Sequence, residues 1–230
     1  MKVIDPYVVV SKDDIAADLL TKVEAYARVC YKSEDKIIED RANSSKFVRG
    51  IIRSGHESTI EHEKITVKFI VDRGVSHELV RHRIASFSQE STRYCSYSGD
   101  KFGNEITVIK PFFFFSNPDP DRYEEWYKAM YNAEMSYMSL TAMGASAQEA
   151  RSVLPNSLKT EVVTTFNLRE WRHFFRLRAA APAHPQMRQV AIPLLLIFQK
   201  YHPEFFDDID YDRNFLEDNY SEIKIERLGR

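Results

Sequence analysis

Apolar positions along this 230-residue chain follow two periods in turn, one of two residues and one near 3.6. Residues 2 to 10, KVIDPYVVV, predict a strand. Ser11 followed by Asp14 resembles the start of a capping box, and Ile15, Leu19, Val23 and Ala27 then recur at helical spacing. A second helix is predicted over 45 to 54, stopping at Gly55. Ile65, Val67, Phe69 and Val71 alternate with Thr66 and Lys68, which predicts a half-buried strand broken by Gly74.

Further on, Ser76 can cap a short helix reaching about Ala85, and the FSQEST that follows reads as a loop. On that helix Glu78, Arg81 and His82 share a face, while Val80 and Ile84 point elsewhere. A strand is predicted around Ile106 to Ile109. From Asp121 to Gly144 a long helix carries Trp126, Met130, Ala133, Tyr137 and Leu140 on one stripe, suited to core or subunit packing. Val162 to Phe166 predicts a strand, and NLREWRHFFRLR a helix with Trp171, Phe174 and Phe175 on its apolar side and Arg172 and Arg176 opposite. Arg178 falls on the apolar side, where a guanidinium is costly unless a polar partner receives it. Either the helix has ended there or Arg178 reaches into a site. The whole reads as mixed α and β without a clear linker.

Composition narrows the function classes. Apolar residues make up 43% and charged residues 29%, the profile of a folded globular protein. A formal charge of −2 argues against a dedicated nucleic-acid binder. No stretch approaches the roughly 20 apolar residues of a membrane span, and the first residues lack a signal-peptide layout, so a cytoplasmic location and no membrane partner are expected. Cys30 and Cys95 form no CxxC pair, so buried or incidental thiols are expected rather than a disulfide framework or metal site. No HExxH string occurs, and no metal is expected. With seven glycines and no GxG or GxxxxGK[ST] string, any nucleotide must be held by side chains.

Against this neutral background, Arg81 to Arg93 (RHRIASFSQESTR) concentrates three arginines, a histidine and three serines. Planar, permanently charged guanidinium groups suit phosphates or a polarised carbonyl. A solvated basic helix face running into a polar loop would look the same.

The full spacing is more specific. Arg81, His82, Arg83, Ser86, Ser91 and Arg93 fit RHR-x2-S-x4-S-x-R, and the chain resembles the flavin-dependent thymidylate synthases that carry this signature. Six fixed positions coincide by chance about once in tens of millions of starting points at ordinary residue usage. GHESTIEH at 55 to 62, Arg151 ahead of VLP, FNLRE around Asn167 and Arg169, and the stretch from Arg178 to AHPQMR agree in order and spacing. The resemblance spans about residues 12 to 205. It implies a single α/β (α+β) domain over residues 1 to 210, with a mixed or antiparallel sheet flanked by helices, followed by a charged segment at 211 to 230.

The resemblance also implies a homotetramer with FAD at subunit junctions and active sites shared between chains. The implied reaction converts dUMP to dTMP, with methylenetetrahydrofolate as carbon donor and NADPH as reductant, releasing tetrahydrofolate. Arg178 matches the arginine that activates the uracil in place of a cysteine nucleophile. Glu78, Leu79, Val80, Arg81, Gln89, Glu90, Ser91, Thr92, Arg93 and Arg151 join it as implied dUMP contacts. Ser58, Glu61, Arg81, His82, Arg83, Gln89, Asn167, Leu168, Arg169, His173 and His184 are the implied FAD contacts, and His56 an implied wall of the folate site. Glu78 stands where many relatives have Gln, and a carboxylate beside a dianionic nucleotide needs a cationic partner such as Arg81 or His82.

Overall fold

The computed structural model describes residues 1–38, 40–99, 102–116 and 118–228. Its strands are β1 (Lys2–Ile4), β2 (Tyr7–Ser11), β3 (Lys64–Asp72), β4 (Ala85–Gln89), β5 (Thr107–Ile109), β6 (Lys159–Asn167) and β7 (Glu222–Glu226). Its helices are α1 (Lys12–Ile15), α2 (Leu19–Val29), α3 (Arg41–Arg53), α4 (Arg73–Leu79), α5 (Phe113–Ser116), α6 (Pro120–Ala142), α7 (Ala147–Ala150), α8 (Leu168–Arg178), α9 (Pro185–Tyr201) and α10 (Pro203–Phe206). A five-stranded mixed sheet has the order β4-β6-β3-β2-β7, and β1 pairs with β5 in parallel, Val3 opposite Val108. The mixed α and β class expected from the sequence is the class observed.

Several boundaries differ from the expected ones, each for a local reason. Residues 2 to 10 form two strands, because Asp5 and Pro6 interrupt the run. Ser11 does cap a helix, its hydroxyl accepting from Asp14 N at 3.4 Å, but that helix is one turn long. Asp18 then caps a fresh start, accepting from Thr21 N, so Ile15 and Leu19 belong to different helices although both are buried. The second helix begins earlier than expected, at Arg41 behind the Asp40 cap, and Gly55 ends it with φ +73°.

Strand β3 buries Ile65, Val67, Phe69 and Val71 as the alternation predicts. It ends at Asp72, not at Gly74. Asp72 accepts from Val75 N at 2.7 Å and so starts α4, which leaves Gly74 inside the first turn. A Cβ there would stand 3.2 Å from both Asn156 Nδ2 and Asp72 Oδ1, closer than such contacts normally come. The expected cap, Ser76, is instead buried within α4, its hydroxyl donating to Arg73 O. Because α4 stops at Leu79, the shared helical face proposed for Glu78, Arg81 and His82 does not exist.

ASFSQ is a strand rather than a loop. Ser86 and Ser88 face solvent while Ala85, Phe87 and Gln89 are half-buried, a period of two carried by small polar residues at the sheet edge.

The chain divides into two compact units. Met1–Tyr7, Phe69–Arg81 and Phe87–Val163 form the first, whose core packs Tyr97, Ile106, Val108, Tyr137, Ala150 and Leu158. The stripe of α6 enters this core through Trp126, Met130, Tyr137 and Leu140, as its spacing predicts. Val8–Lys68, His82–Ser86 and Thr164–Arg230 form the second unit. Its core is aromatic, with Trp171 4.6 Å from Phe166 and 5.1 Å from Phe198 between ring centroids. Each such side chain contributes about 2–3 kcal/mol on burial. Trp171 also donates its indole N–H to Ile65 O at 2.9 Å, which satisfies its polar edge.

Residues 211 to 228 fold back onto the second unit, and the last two residues of the charged C-terminal segment lie outside the described residues. Asp212 N donates to Ala179 O, Ser221 N donates to Gln189 O, and β7 takes its place beside β2.

Candidate active site

In the first unit, Thr92 and Arg151 line a cavity of about 310 Å³ together with Arg73, His77 and Asn156. Two guanidinium groups, an imidazole, an amide and a hydroxyl make it a donor-rich space suited to an anion. Arg93 lies outside that lining; its Nε donates to Gln148 Oε1 at 3.1 Å and its backbone N–H to Ser91 Oγ. The Ser91 hydroxyl therefore shapes the turn leading to Arg93.

Gln89 and Glu90 are held from below by residues the sequence did not single out. The Gln89 amide donates to Ser76 Oγ at 3.0 Å and Thr160 Oγ1 at 3.2 Å, which fixes its orientation. Glu90 accepts from Tyr97 Oη at 3.1 Å and pairs with Lys159 Nζ at 2.9 Å. Burial works against the Lys159 charge, but the carboxylates of Glu90 and Glu161 outweigh it and hold the ammonium above its ordinary value. Burial, reinforced by Glu90, pushes the Tyr97 hydroxyl well above the usual phenol range. Leu79 is fully buried, so only its backbone can meet a ligand, whereas Val80 and Arg81 are exposed just beyond α4 and Glu78 is half-buried.

In the second unit, Glu61, Asn167, Arg169 and His173 line a cavity of about 450 Å³ with Glu57, Ile84, Glu170 and Arg176. Asn167 caps α8, accepting from Glu170 N at 2.8 Å, and thereby sets the helix that presents Arg169, His173 and Arg178. Arg169 pairs with Glu61 at 2.5 Å. Leu168 is buried with its N–H donating to Glu63 O at 2.9 Å. Ser58 and Arg83 are exposed.

Four arginines on α8 separate by environment. Arg172, expected opposite the apolar side, is wholly buried: its fork meets both oxygens of Asp208 at 2.7 Å, its Nε meets Glu57 at 3.1 Å, and a terminal nitrogen bonds Phe205 O. The burial that opposes this charge is outweighed by its carboxylate partners, which raise it above the usual arginine value. Arg169 and Arg176 are exposed, and Arg178, the last residue of α8, is half-buried.

Arg178 Nε donates to His82 Nε2 at 3.2 Å, and His82 Nδ1 lies 2.7 Å from Glu170 Oε1. His82 is 4% exposed, and burial holds its imidazole below the ordinary histidine value; Glu170 opposes this, and Arg178 and His173 reinforce it. His82, Glu170 and His173 stand close enough together to hold a metal ion. Both His82 nitrogens are already engaged, one of them by a cation, so the arrangement favours a hydrogen-bonded row over a metal centre.

His56 is exposed and lines a third cavity, of about 490 Å³, with Arg28, Asn43, Lys46 and Phe47. His184 caps α9, accepting from Gln186 N at Nδ1, and none of the three cavities includes it. Neither cysteine lines any of these three cavities; Cys30 is exposed rather than buried, and Cys95 is half-buried.

Sequence reading missed Glu57, Arg73, His77, Asn156, Lys159 and Glu170. Two of them stood within motifs of the resemblance: Glu57 in GHESTIEH, and Glu170 in FNLRE, with His173 three residues on and so on the same helix face.

The family model described as thymidylate synthase complementing protein matches residues 15–204. The flavin-dependent thymidylate synthase of Geobacter sulfurreducens is 35% identical over 79% of this chain and 78% of its own length. That of Corynebacterium aurimucosum is 33% identical over 85% and 82%. Among solved structures, the UMP/dUMP methylase PolB from Streptomyces cacaoi bound with 5-Br dUMP superposes with a TM-score of 0.72, at 22% identity, over 90% of this chain and 96% of that one. A signature carried by side chains, a donor-rich cavity in the first unit and a family match over residues 15–204 lead to one assignment: the chain belongs to the flavin-dependent thymidylate synthase family, an enzyme class.

Proposed function

We propose that this chain methylates dUMP to dTMP, taking carbon from methylenetetrahydrofolate and reducing equivalents from NADPH through FAD, and releasing tetrahydrofolate. The observation that carries the reading is Arg178, a half-buried guanidinium at the end of a helix, held by a buried neutral histidine. Carbon 5 of uracil must become nucleophilic, and the Arg81–Arg93 signature that carries the resemblance contains no thiol to add to the ring. Negative charge developing on the pyrimidine then has to be stabilised directly, which a preorganised guanidinium does without reorganising. The similarly folded UMP/dUMP methylase bound with 5-Br dUMP supports a pyrimidine nucleotide as the substrate.

Arg151 and Thr92, with Arg73, give the phosphate its donors, and Gln89 and Glu90 offer a fixed amide and a charge-balanced carboxylate to the base. Lys159 removes the repulsion that a lone Glu90 would exert on a dianion. Arg81 and Arg93 complete the nucleotide set, with Ser91 acting through the turn it shapes.

The second cavity fits part of a flavin dinucleotide: Arg169, Asn167 and His173 supply donors for diphosphate or ribityl oxygens, and Ile84 an apolar surface for a ring. Ser58, Glu61, Arg83 and the Leu168 backbone belong to the same proposed set, His184 to its margin, and His56 to the folate side. When bound, the flavin supplies the hydride-transfer chemistry, while the protein binds, orients and excludes water. The proposal includes assembly of four copies with sites shared between chains.

Protein purified without added cofactor should be yellow and should oxidise NADPH in a dUMP- and methylenetetrahydrofolate-dependent manner, with dTMP identified by mass spectrometry. A colourless protein that cannot take up FAD rejects the proposal, as does NADPH oxidation without dTMP.

A further inference from the structure

Glu170 is 7% exposed and bonded to the residue that bonds Arg178, yet the proposed reaction gives it no task. A carboxylate only accepts hydrogen bonds, so the 2.7 Å contact with Glu170 places the neutral ring's proton on His82 Nδ1. The lone pair is then on Nε2, where it receives the Nε–H of Arg178 at 3.2 Å. The row runs one way, Arg178 to His82 to Glu170. Reversing the tautomer would set two N–H groups against each other.

The ring has little freedom to do so. Phe174 and Phe166 pack on it at centroid distances of 5.2 and 5.7 Å, and His173 at 5.5 Å. The titratable and charged groups facing it are Glu170, His173 and Arg178.

We propose that Glu170 is a positioning residue: acting through the tautomer of His82, it fixes the plane and reach of the Arg178 guanidinium at the pyrimidine. The proposal rests on the reading of Arg178 given above. On this view the contribution of His82 is made through Arg178, since both ring nitrogens are already used. Protonation of His82 in acid turns Nε2 from acceptor to donor and releases Arg178, so turnover has an acid limb set by this histidine. Glu170 favours the charged ring, and replacing it with a neutral residue moves that limb to lower pH.

The test compares four holoenzymes: the parent, Glu170→Gln, Arg178→Ala and the double variant. Glutamine can donate to Nδ1 as well as accept from it, and so no longer dictates the tautomer. Glu170→Gln is expected to lower kcat by about 10- to 10²-fold, on the scale of misplacing a reacting group by about an ångström. Flavin content should stay unchanged and the acid limb should shift down. In the Arg178→Ala background the same change should have no further effect, measured on kcat or, where turnover is undetectable, on the dUMP dissociation constant. An equal loss in both backgrounds overturns the proposal, as does an unmoved acid limb. Parental turnover by Arg178→Ala would instead remove Arg178 from the reaction and leave the row as a structural feature. Should Glu170→Gln fail to fold, histidine-selective ¹⁵N spectra of the parent holoenzyme decide the matter. The resonance lost in His82→Gln must show the Nδ1-protonated tautomer, and the Nε2-protonated form overturns the assignment.

Discussion

A guanidinium on the apolar side of an amphipathic helix presents a conflict between pattern and charge, and Arg178 has the buried imidazole of His82 among its partners. An imidazole partner of this kind orients a guanidinium without cancelling its charge. Replacing Arg178 with Ala should leave folding and flavin content intact and cost about 10²–10³ in turnover, the scale for one preorganised charge-stabilising donor. Steady-state dTMP formation measures it, and near-parental rates would exclude the role. Much at this scale was legible: Arg178 stood out by its position on the wheel, and Asn167, Arg169, His173 and Glu61 do share a cavity. Lys159 and Tyr97 were not, since nothing local in sequence links them to Glu90; a strand pairing brings Lys159 there and a turn brings Tyr97.

At the scale of elements, α8 shows what a helical wheel can and cannot tell. The wheel places Trp171, Phe174 and Phe175 inside, as observed, but also sends Arg172 outward, whereas burial is complete because Asp208 and the Phe205 carbonyl await it from the α10 region. Periodicity within one segment cannot see a partner more than thirty residues away. Removing that partner leaves a buried charge with only Glu57 to balance it. Asp208→Ala should therefore destabilise the fold by about 3 kcal/mol, the lower end for breaking such a pair because Glu57 remains. A shift in the urea midpoint at constant slope reads this, and a midpoint within error of the parent would show that Glu57 alone suffices. The missed strand β4 is the converse case, in which alternation was present but its small polar residues carried too little hydrophobic contrast to register.

For the whole molecule, two buried histidines set the pH response. Burial holds both His82 and His202 below the ordinary value of 6.5, while the unfolded chain protonates near it. Between the two values the unfolded state binds more protons, so stability is fully present above about 6.5 and declines as pH falls below it. Urea midpoints at pH 7.5 and 5.5 should differ in that sense, and the difference should shrink in His82→Gln; a midpoint that rises on acidification contradicts it. Architecture and family were legible because the apolar periods and a six-residue signature are written locally. The folded course of residues 211 to 228 was not, since a run of charges says little about where its backbone will bond. The bond from Asp212 N to Ala179 O grips the residue directly after Arg178, and Arg188 ties down Asp212 from α9. A chain cut after Asp210 would thus retain every side chain proposed for nucleotide or flavin and still lose the splint that braces the end of α8.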